Sequence, residues 1–186
     1  MDLGVGYGGS LFTWLQLSSI YEPVNYTREI VGFDRFAGFP AVHERDAGAD
    51  NSGRLRPGGF RVAAGTAAEI EEAARIHSQT RFLGHVEKVR IVQGPIEETL
   101  PRFMADNQHM LVSLLNIDVD TYLPTRIALT EVLPKMPKGA IVLFDEANHR
   151  SFPGETAALL DSLDMAEHRL RRFNYAPTLS YVVIGE

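Results

Sequence analysis

Glu167-His-Arg-Leu-Arg-Arg-Phe173 and Leu179-Ser-Tyr-Val-Val-Ile184 read as two strands, and the short link Asn174-Tyr-Ala-Pro-Thr178 between them decides the fold. A parallel neighbour needs a crossover of a dozen or more residues, so this link requires an antiparallel pair. The chain before it alternates differently. Arg28-Glu-Ile-Val-Gly-Phe-Asp34, Val89-Arg-Ile-Val-Gln93, Met110-Leu-Val-Ser-Leu-Leu-Asn-Ile-Asp118 and Gly139-Ala-Ile-Val-Leu-Phe144 are short apolar runs separated by helical patterns. That order predicts a parallel sheet with crossover helices. Residues 110–118 are apolar on both faces, as a central parallel strand should be. Helices are expected over Leu11–Leu17, behind Thr66 with Glu69 completing a capping box, near Glu97–Met104, and over Pro124–Leu133 and Pro153–Leu163. The result is an α/β fold whose mostly parallel sheet closes in a C-terminal antiparallel pair.

At the other end lies Asp2-Leu-Gly-Val-Gly-Tyr-Gly-Gly-Ser10. Without a Cβ, these glycines can take positive φ and bring backbone N–H groups close to a ligand. Two spacings overlap here. Gly4-x-Gly6-x-x-Gly9 fits a dinucleotide-binding fingerprint, whereas Asp2-x-Gly4-x-Gly6-x-Gly8 fits the acidic glycine loop of S-adenosylmethionine (SAM) methyltransferases. The glycines admit both; the antiparallel closing pair favours the class I methyltransferase fold over a nicotinamide-binding Rossmann domain. Because the loop begins at residue 2, while a central strand usually has about five residues, a missing N-terminal stretch is expected.

Composition narrows the classes further. With 186 residues, 45% of them hydrophobic, residues 1–186 are expected to form one domain. A net charge of −6 without a basic block argues against nucleic-acid binding. The absence of cysteine excludes disulfides, thiolate metal sites and cysteine nucleophiles. No signal peptide and no apolar stretch of about 18 residues is evident, so a cytoplasmic protein without membrane contact is expected.

Chemistry gathers where the strands end. Four of them deliver the glycine loop, Asp34, Asp118 with Asp120, and Asp145 with Glu146 to one sheet edge, where open α/β sheets bind ligands. Asp34 can accept both hydroxyl protons of a ribose; the alternative is a turn cap. In a strict strand Asp118 and Asp120 would share a face. Carboxylates converging there could not all stay ionised without a cation. Oxygen donors, with His149 the only nearby histidine, suit Mg²⁺, with Mn²⁺ as the alternative, better than Zn²⁺. The alternatives are a helix cap for Asp120, solvent for Glu146 and an ordinary loop position for His149.

Phe33-Asp-Arg-Phe-Ala-Gly-Phe-Pro40, Gly94-Pro-Ile-Glu-Glu-Thr-Leu-Pro101, Ile117-Asp-Val-Asp-Thr-Tyr-Leu-Pro-Thr125 and Gly139-Ala-Ile-Val-Leu-Phe-Asp145, together with the glycine loop, resemble the TylF/MycF-type (macrocin) O-methyltransferases. The matches run in order along nearly the whole chain. The resemblance implies a SAM-dependent, Mg²⁺-using enzyme that methylates hydroxyls of sugars in natural products or nucleotide-linked deoxysugars. It assigns Gly4, Gly6 and Gly8, with Ser10 at the end of that loop, to the methionine side of SAM, Asp34 to its ribose, and Gln93, Gly94 and Ile96 to its adenine side. Asp118, Asp145 and Glu146 would hold the metal; relatives commonly have two aspartates where this chain has Asp-Glu. The family's N-terminal helical region, which helps close the acceptor pocket and build oligomer contacts, is expected to be missing from this sequence, and a homo-oligomer is an open expectation.

Methyl transfer from a sulfonium needs an acceptor oxygen that has lost its proton. Asp118 or Asp120 is the expected base, and His149 the next candidate. For the small-molecule acceptor, Tyr122 and residues 41–60, especially His43, Arg45, Arg54 and Arg56, are the expected contacts. Two rivals stand beside this reading: an NAD-binding oxidoreductase, which leaves the paired acids without a role, and a non-catalytic methyltransferase-like remnant.

Overall fold

A computed structural model of the chain describes residues 1–47 and 53–186. Residues 48–52, part of the expected acceptor loop, lie outside the described residues. Among the described residues seven strands form one sheet: β1 (Asp2–Leu3), β2 (Ile30–Asp34), β3 (Val89–Gln93), β4 (Leu114–Ile117), β5 (Ile141–Phe144), β6 (Arg171–Arg172) and β7 (Ser180–Val183). Their order is β3-β2-β1-β4-β5-β7-β6. The first five run parallel, while β7 pairs antiparallel with both β5 and β6. Arg171 faces Tyr181 and Arg172 faces Ser180, so the short link 174–178 produces the antiparallel pair read from its length. A nicotinamide-binding Rossmann sheet has the order 3-2-1-4-5-6, with a parallel strand where β7 turns back here.

Helices α1 (Gly9–Tyr21), α2 (Thr66–Thr80), α3 (Ile96–Asp106), α4 (Tyr122–Val132) and α5 (Pro153–Ser162) cover the sheet. Alternation along the strands divides the core in two. Val31 and Phe33 join Leu100 and Phe103 of α3, Leu129 of α4 and Leu159 of α5. Ile30, one residue out of phase, joins Leu11 and Leu15 of α1 and Ile70 of α2. The helices α3 to α5 therefore cover one face, and α1 and α2 the other. Phe33 and Phe103 meet edge-on, with ring centroids 5.2 Å apart. The order reverses between β1 and β4, the switch point where such sheets open a ligand crevice.

Two local expectations are corrected. Thr66 is not the cap of α2. Gly65 takes that place with φ 92°, and the Thr66 hydroxyl donates instead to the Ala63 carbonyl at 2.9 Å, so no capping box forms with Glu69. Nor does the strand run straight from Asp118 to Asp120. It ends at Ile117, and Asp120 adopts φ 58°, which breaks the strict alternation assumed for the two acids.

Candidate active site

The crevice at the switch point is a cavity of about 350 Å³. The turn after β1 forms its floor. Gly4 donates its N–H to the Phe33 carbonyl at 2.9 Å, and with φ 87° it runs so close to β4 that a Cβ would fall 1.7 Å from the Asp118 carbonyl oxygen. Gly6 donates to Asp34 Oδ2 at 2.7 Å, and Phe36 N–H donates to Asp34 Oδ1 at 2.6 Å. One carboxylate thus fixes both the glycine turn and the turn after β2, while still facing the cavity. Its remaining lone pairs are available to a ligand.

Asp2, the acid ahead of the glycines, is fully buried and does not face the cavity. It accepts from the Ser10 hydroxyl and from Asn116 Nδ2, both at 2.7 Å, and so ties α1 and β4 to β1. Ser10, expected on the cofactor side, spends its hydroxyl on this internal bond. Gly8 begins α1 with φ 89° against the Phe12 ring. Gly4, Gly6, Asp34, Gly94 and Ile96 line the cavity; Gly8, Ser10 and Gln93 stand outside its lining. Phe39, Phe60 and Val62, from the loop after β2, cover it, and Phe39 and Phe60 pack edge-on at 5.5 Å.

The opposite wall carries the acids. Asp118, Asp120, Asp145 and Glu146 all line the cavity, delivered by the ends of β4 and β5. The rungs Asp118 N to Leu3 O at 2.9 Å and Asp145 N to Ile117 O at 3.1 Å continue the parallel ladder beyond the strands and hold both acids at its end. Burial, followed by repulsion from Asp145 and Asp120, pushes the Asp118 carboxyl up to about 8. Burial and repulsion from Glu146 and Asp145 push Asp120 up to about 7. Asp145 and Glu146 are also raised by burial, a rise that His149 opposes. His149 stands behind this wall: its Nδ1 is 3.2 Å from Glu146 Oε2, without hydrogen-bond alignment, and its ring stacks on Phe152 at 5.6 Å.

Sequence reasoning missed Glu155. It occupies the first turn of α5, a position that ordinarily faces solvent, yet it is fully buried and its Oε1 accepts the Glu146 N–H at 2.8 Å. Burial drives its carboxyl well above the usual range, and Asp120, Asp145 and Glu146 add to the rise. The next residue, Thr156, accepts from Asn148 N–H through its hydroxyl at 2.7 Å. Two side chains at the start of α5 therefore shape the turn that carries Asp145 and Glu146. Only the long-range path of the chain reveals this.

The donor set suits a hard divalent cation. The acids supply only oxygen, their carboxyls are raised first by burial and then by mutual repulsion, both of which a cation would offset, and Glu146 Oε2 is buried without a hydrogen-bond partner. Among the described residues no three acids or histidines converge at ligand distance, so binding would require the carboxylates to turn toward a common centre.

Of the expected acceptor contacts, His43, Arg45 and Tyr122 cluster beside the cavity rather than in its lining. The Arg54 guanidinium lies over the Phe60 ring, 5.3 Å from its centroid. Arg56 is exposed on the same loop, outside the cavity lining.

This strand order, with a glycine turn after β1, an acid ending β2 and acids just after β4 and β5, defines a class I methyltransferase. Residues 1–147 match the family described as "Methyltransferase domain", and the chain belongs to that family. Two solved structures carry the likeness through the whole chain. One is described as the calicheamicin methyltransferase CalS11, with 36% identity and a TM-score of 0.94, and the match covers 100% of this chain and 72% of that one. The other, apo CalS11, is described as a TDP-rhamnose 3'-O-methyltransferase of calicheamicin biosynthesis; it is 34% identical with a TM-score of 0.82, over 100% and 71% of the two chains. The O-methyltransferase NovP shares the fold at 24% identity and a TM-score of 0.70, over 98% and 69%. No curated protein sequence matches significantly. The chain is thus an enzyme of the O-methyltransferase kind, and its likeness to the TylF/MycF-type group holds beyond the short motifs. Among the described residues no helix is long and apolar enough to cross a membrane.

Proposed function

We propose that the protein is a SAM-dependent, Mg²⁺-assisted O-methyltransferase acting on a hydroxyl of a sugar or glycosylated natural product, working in the cytoplasm and able to self-associate. One observation carries this reading: a single cavity joins the Asp34 carboxylate and glycine turn on one wall to four acids on the other. The description of CalS11 as acting on a nucleotide-linked deoxysugar supports the acceptor class.

Bound SAM would supply the methyl group, and a bound Mg²⁺ would supply positive charge that lowers the pKa of the acceptor hydroxyl. The remaining work falls to the chain. Asp34 accepts the ribose hydroxyls while holding Gly6 and Phe36, so cofactor binding meets a turn that is already formed. Gly4, Gly6, Gly94 and Ile96 bound the cofactor's side of the cavity without bulky polar groups. Asp118, Asp145 and Glu146 are the residues that would hold the metal. Asp120, beside them on a left-handed turn, takes the acceptor proton on its carboxylate, with Asp118 the second choice and His149 the third. The Asp120 carboxyl is raised to about 7 by burial and by Glu146 and Asp145, and a cation bound beside it would lower that value, so near neutral pH the carboxylate would be ionised and able to accept the proton. Phe39, which is buried, and Phe60, which is partly exposed, give the cavity its apolar lining on the side of the loop after β2.

Titration calorimetry tests the cofactor half. S-adenosylhomocysteine should bind the protein while NAD does not, and Asp34→Ala should weaken that binding by about tenfold or more, as expected for losing hydrogen bonds to a charged group. Equal binding of NAD, or an unchanged affinity in Asp34→Ala, would overturn the assignment.

A further inference from the structure

Asp46 lines no part of the cavity, yet it is a charged side chain only 1% exposed. It ends the short 3-10 turn Glu44–Asp46 in the loop after β2. Its two oxygens are divided between distant segments. Oδ2 accepts the His43 N–H at 2.7 Å, and Oδ1 accepts the Tyr122 N–H at 2.7 Å. Tyr122 is the first residue of α4, and Thr121, which precedes it, gives that helix no side-chain cap. The cap therefore comes from 76 residues upstream, as an anion at the positive end of a helix.

The third element at this corner, α5, is shaped to admit the carboxylate. A Cβ on Gly154 would fall 1.8 Å from Asp46 Oδ1. Around this buried centre lies an outer ring of contacts: His43 stacks on Tyr122 at 4.8 Å, Arg45 bonds Asp161 of α5 at 2.5 Å, and the Tyr122 hydroxyl donates to Asp161 at 2.9 Å. The segment so fixed adjoins two parts of the cavity. On one side the chain leads back to Phe39, which covers it; on the other, Tyr122 follows the Asp118–Thr121 wall.

We propose that Asp46 is a positioning residue, a buried latch that fixes the loop after β2 against the starts of α4 and α5 and so sets the distance between the cavity's cover and its acidic wall. Its consequence falls on the acceptor, which must fit between those two surfaces; SAM, held by β1 and β2, is spared. This consequence rests on the methyl-transfer reading, whereas the latch itself does not.

Two substitutions attack the latch from opposite sides. In Asp46→Asn one acceptor oxygen becomes an NH₂ donor, and Gly154→Ala drives a methyl group into the carboxylate. Hydrogen exchange should then quicken by about tenfold or more at residues 43–46 and at the first turn of α4 together, the scale of one lost charged hydrogen bond. S-adenosylhomocysteine affinity should stay within about threefold, while acceptor KM rises by about tenfold with a smaller change in kcat. Faster exchange confined to the substituted segment, or loss of cofactor affinity in step with acceptor KM, overturns the proposal. Should both variants fail to fold, Arg45→Ala removes only outer contacts, the Asp161 ion pair and the cation-π contact with Tyr122, and should quicken exchange in the same two segments to a lesser extent; no change in either overturns the latch. Wild-type protein that methylates no sugar acceptor would remove the functional reading, and the exchange result would still decide the latch.

Discussion

Gly4 is the residue on which the site is most closely built. A side chain there would meet both a φ of 87° and the Asp118 carbonyl at 1.7 Å, and neither can give without moving the sheet or the acidic wall. Gly4→Ala should therefore cost ~3 kcal/mol of stability and abolish detectable S-adenosylhomocysteine binding, measured by denaturant melts and calorimetry. Gly6 differs: a Cβ there meets nothing within 4 Å, so only its φ of 54° opposes a substitution. Gly6→Ala should cost about 1 kcal/mol, close to the ordinary penalty for left-handed backbone. A matching loss at both positions would contradict the close approach of the first turn to β4.

At the scale of elements, α2 offers a direct comparison between pattern and geometry. Thr66 and Glu69 have capping-box spacing, but the helix starts on Gly65 and the Thr66 hydroxyl bonds Ala63. Glu69→Ala should change stability by less than about 0.5 kcal/mol, while Thr66→Val, which removes the hydroxyl bond from buried Thr66 to the Ala63 carbonyl, should cost about 1 kcal/mol. A larger loss for Glu69→Ala would restore the capping box. The same contrast explains what the sequence made legible. Strand ends, glycine spacing and the link 174–178 are local signals, so the parallel order, the antiparallel closure, Asp34 and the four acids could be read from neighbouring residues. The bends were not legible: Asp120 leaves the strand alternation through its left-handed φ, which no spacing rule predicts. Asp46 and Glu155 were not legible either. Each is an acid in an ordinary exposed setting by sequence, and each is buried by an element brought to it by the fold.

For the whole molecule, the acids make stability depend on pH and, on the proposed function, on divalent ions. Asp118 and Asp120 have folded-state pKa values raised to about 8 and about 7, and Glu155 is raised as well. Because folding favours their protonated forms, the stability they contribute is fully present below their unfolded pKa of about 4 and is lost as pH rises through 7 to 8. In metal-free buffer, Tm should fall between pH 5 and pH 8. Mg²⁺ should restore it, with a larger rise at pH 8 than at pH 6, because binding to the folded state alone stabilises it. Scanning fluorimetry in EDTA and in Mg²⁺ reads both effects; a Tm that rises with pH, or does not respond to Mg²⁺, would remove the cation from the acidic wall.

The central claim is that this cavity transfers a methyl group from SAM to a sugar hydroxyl with the help of the four acids. Its most direct test is mass-spectrometric detection of product from SAM and a panel of nucleotide-linked deoxysugars and macrolide glycosides, run with Mg²⁺ and with EDTA. The account predicts a singly methylated sugar that forms in Mg²⁺, disappears in EDTA, and is lost in Asp118→Ala while S-adenosylhomocysteine still binds. Methylation of equal rate in EDTA and in Asp118→Ala would contradict it.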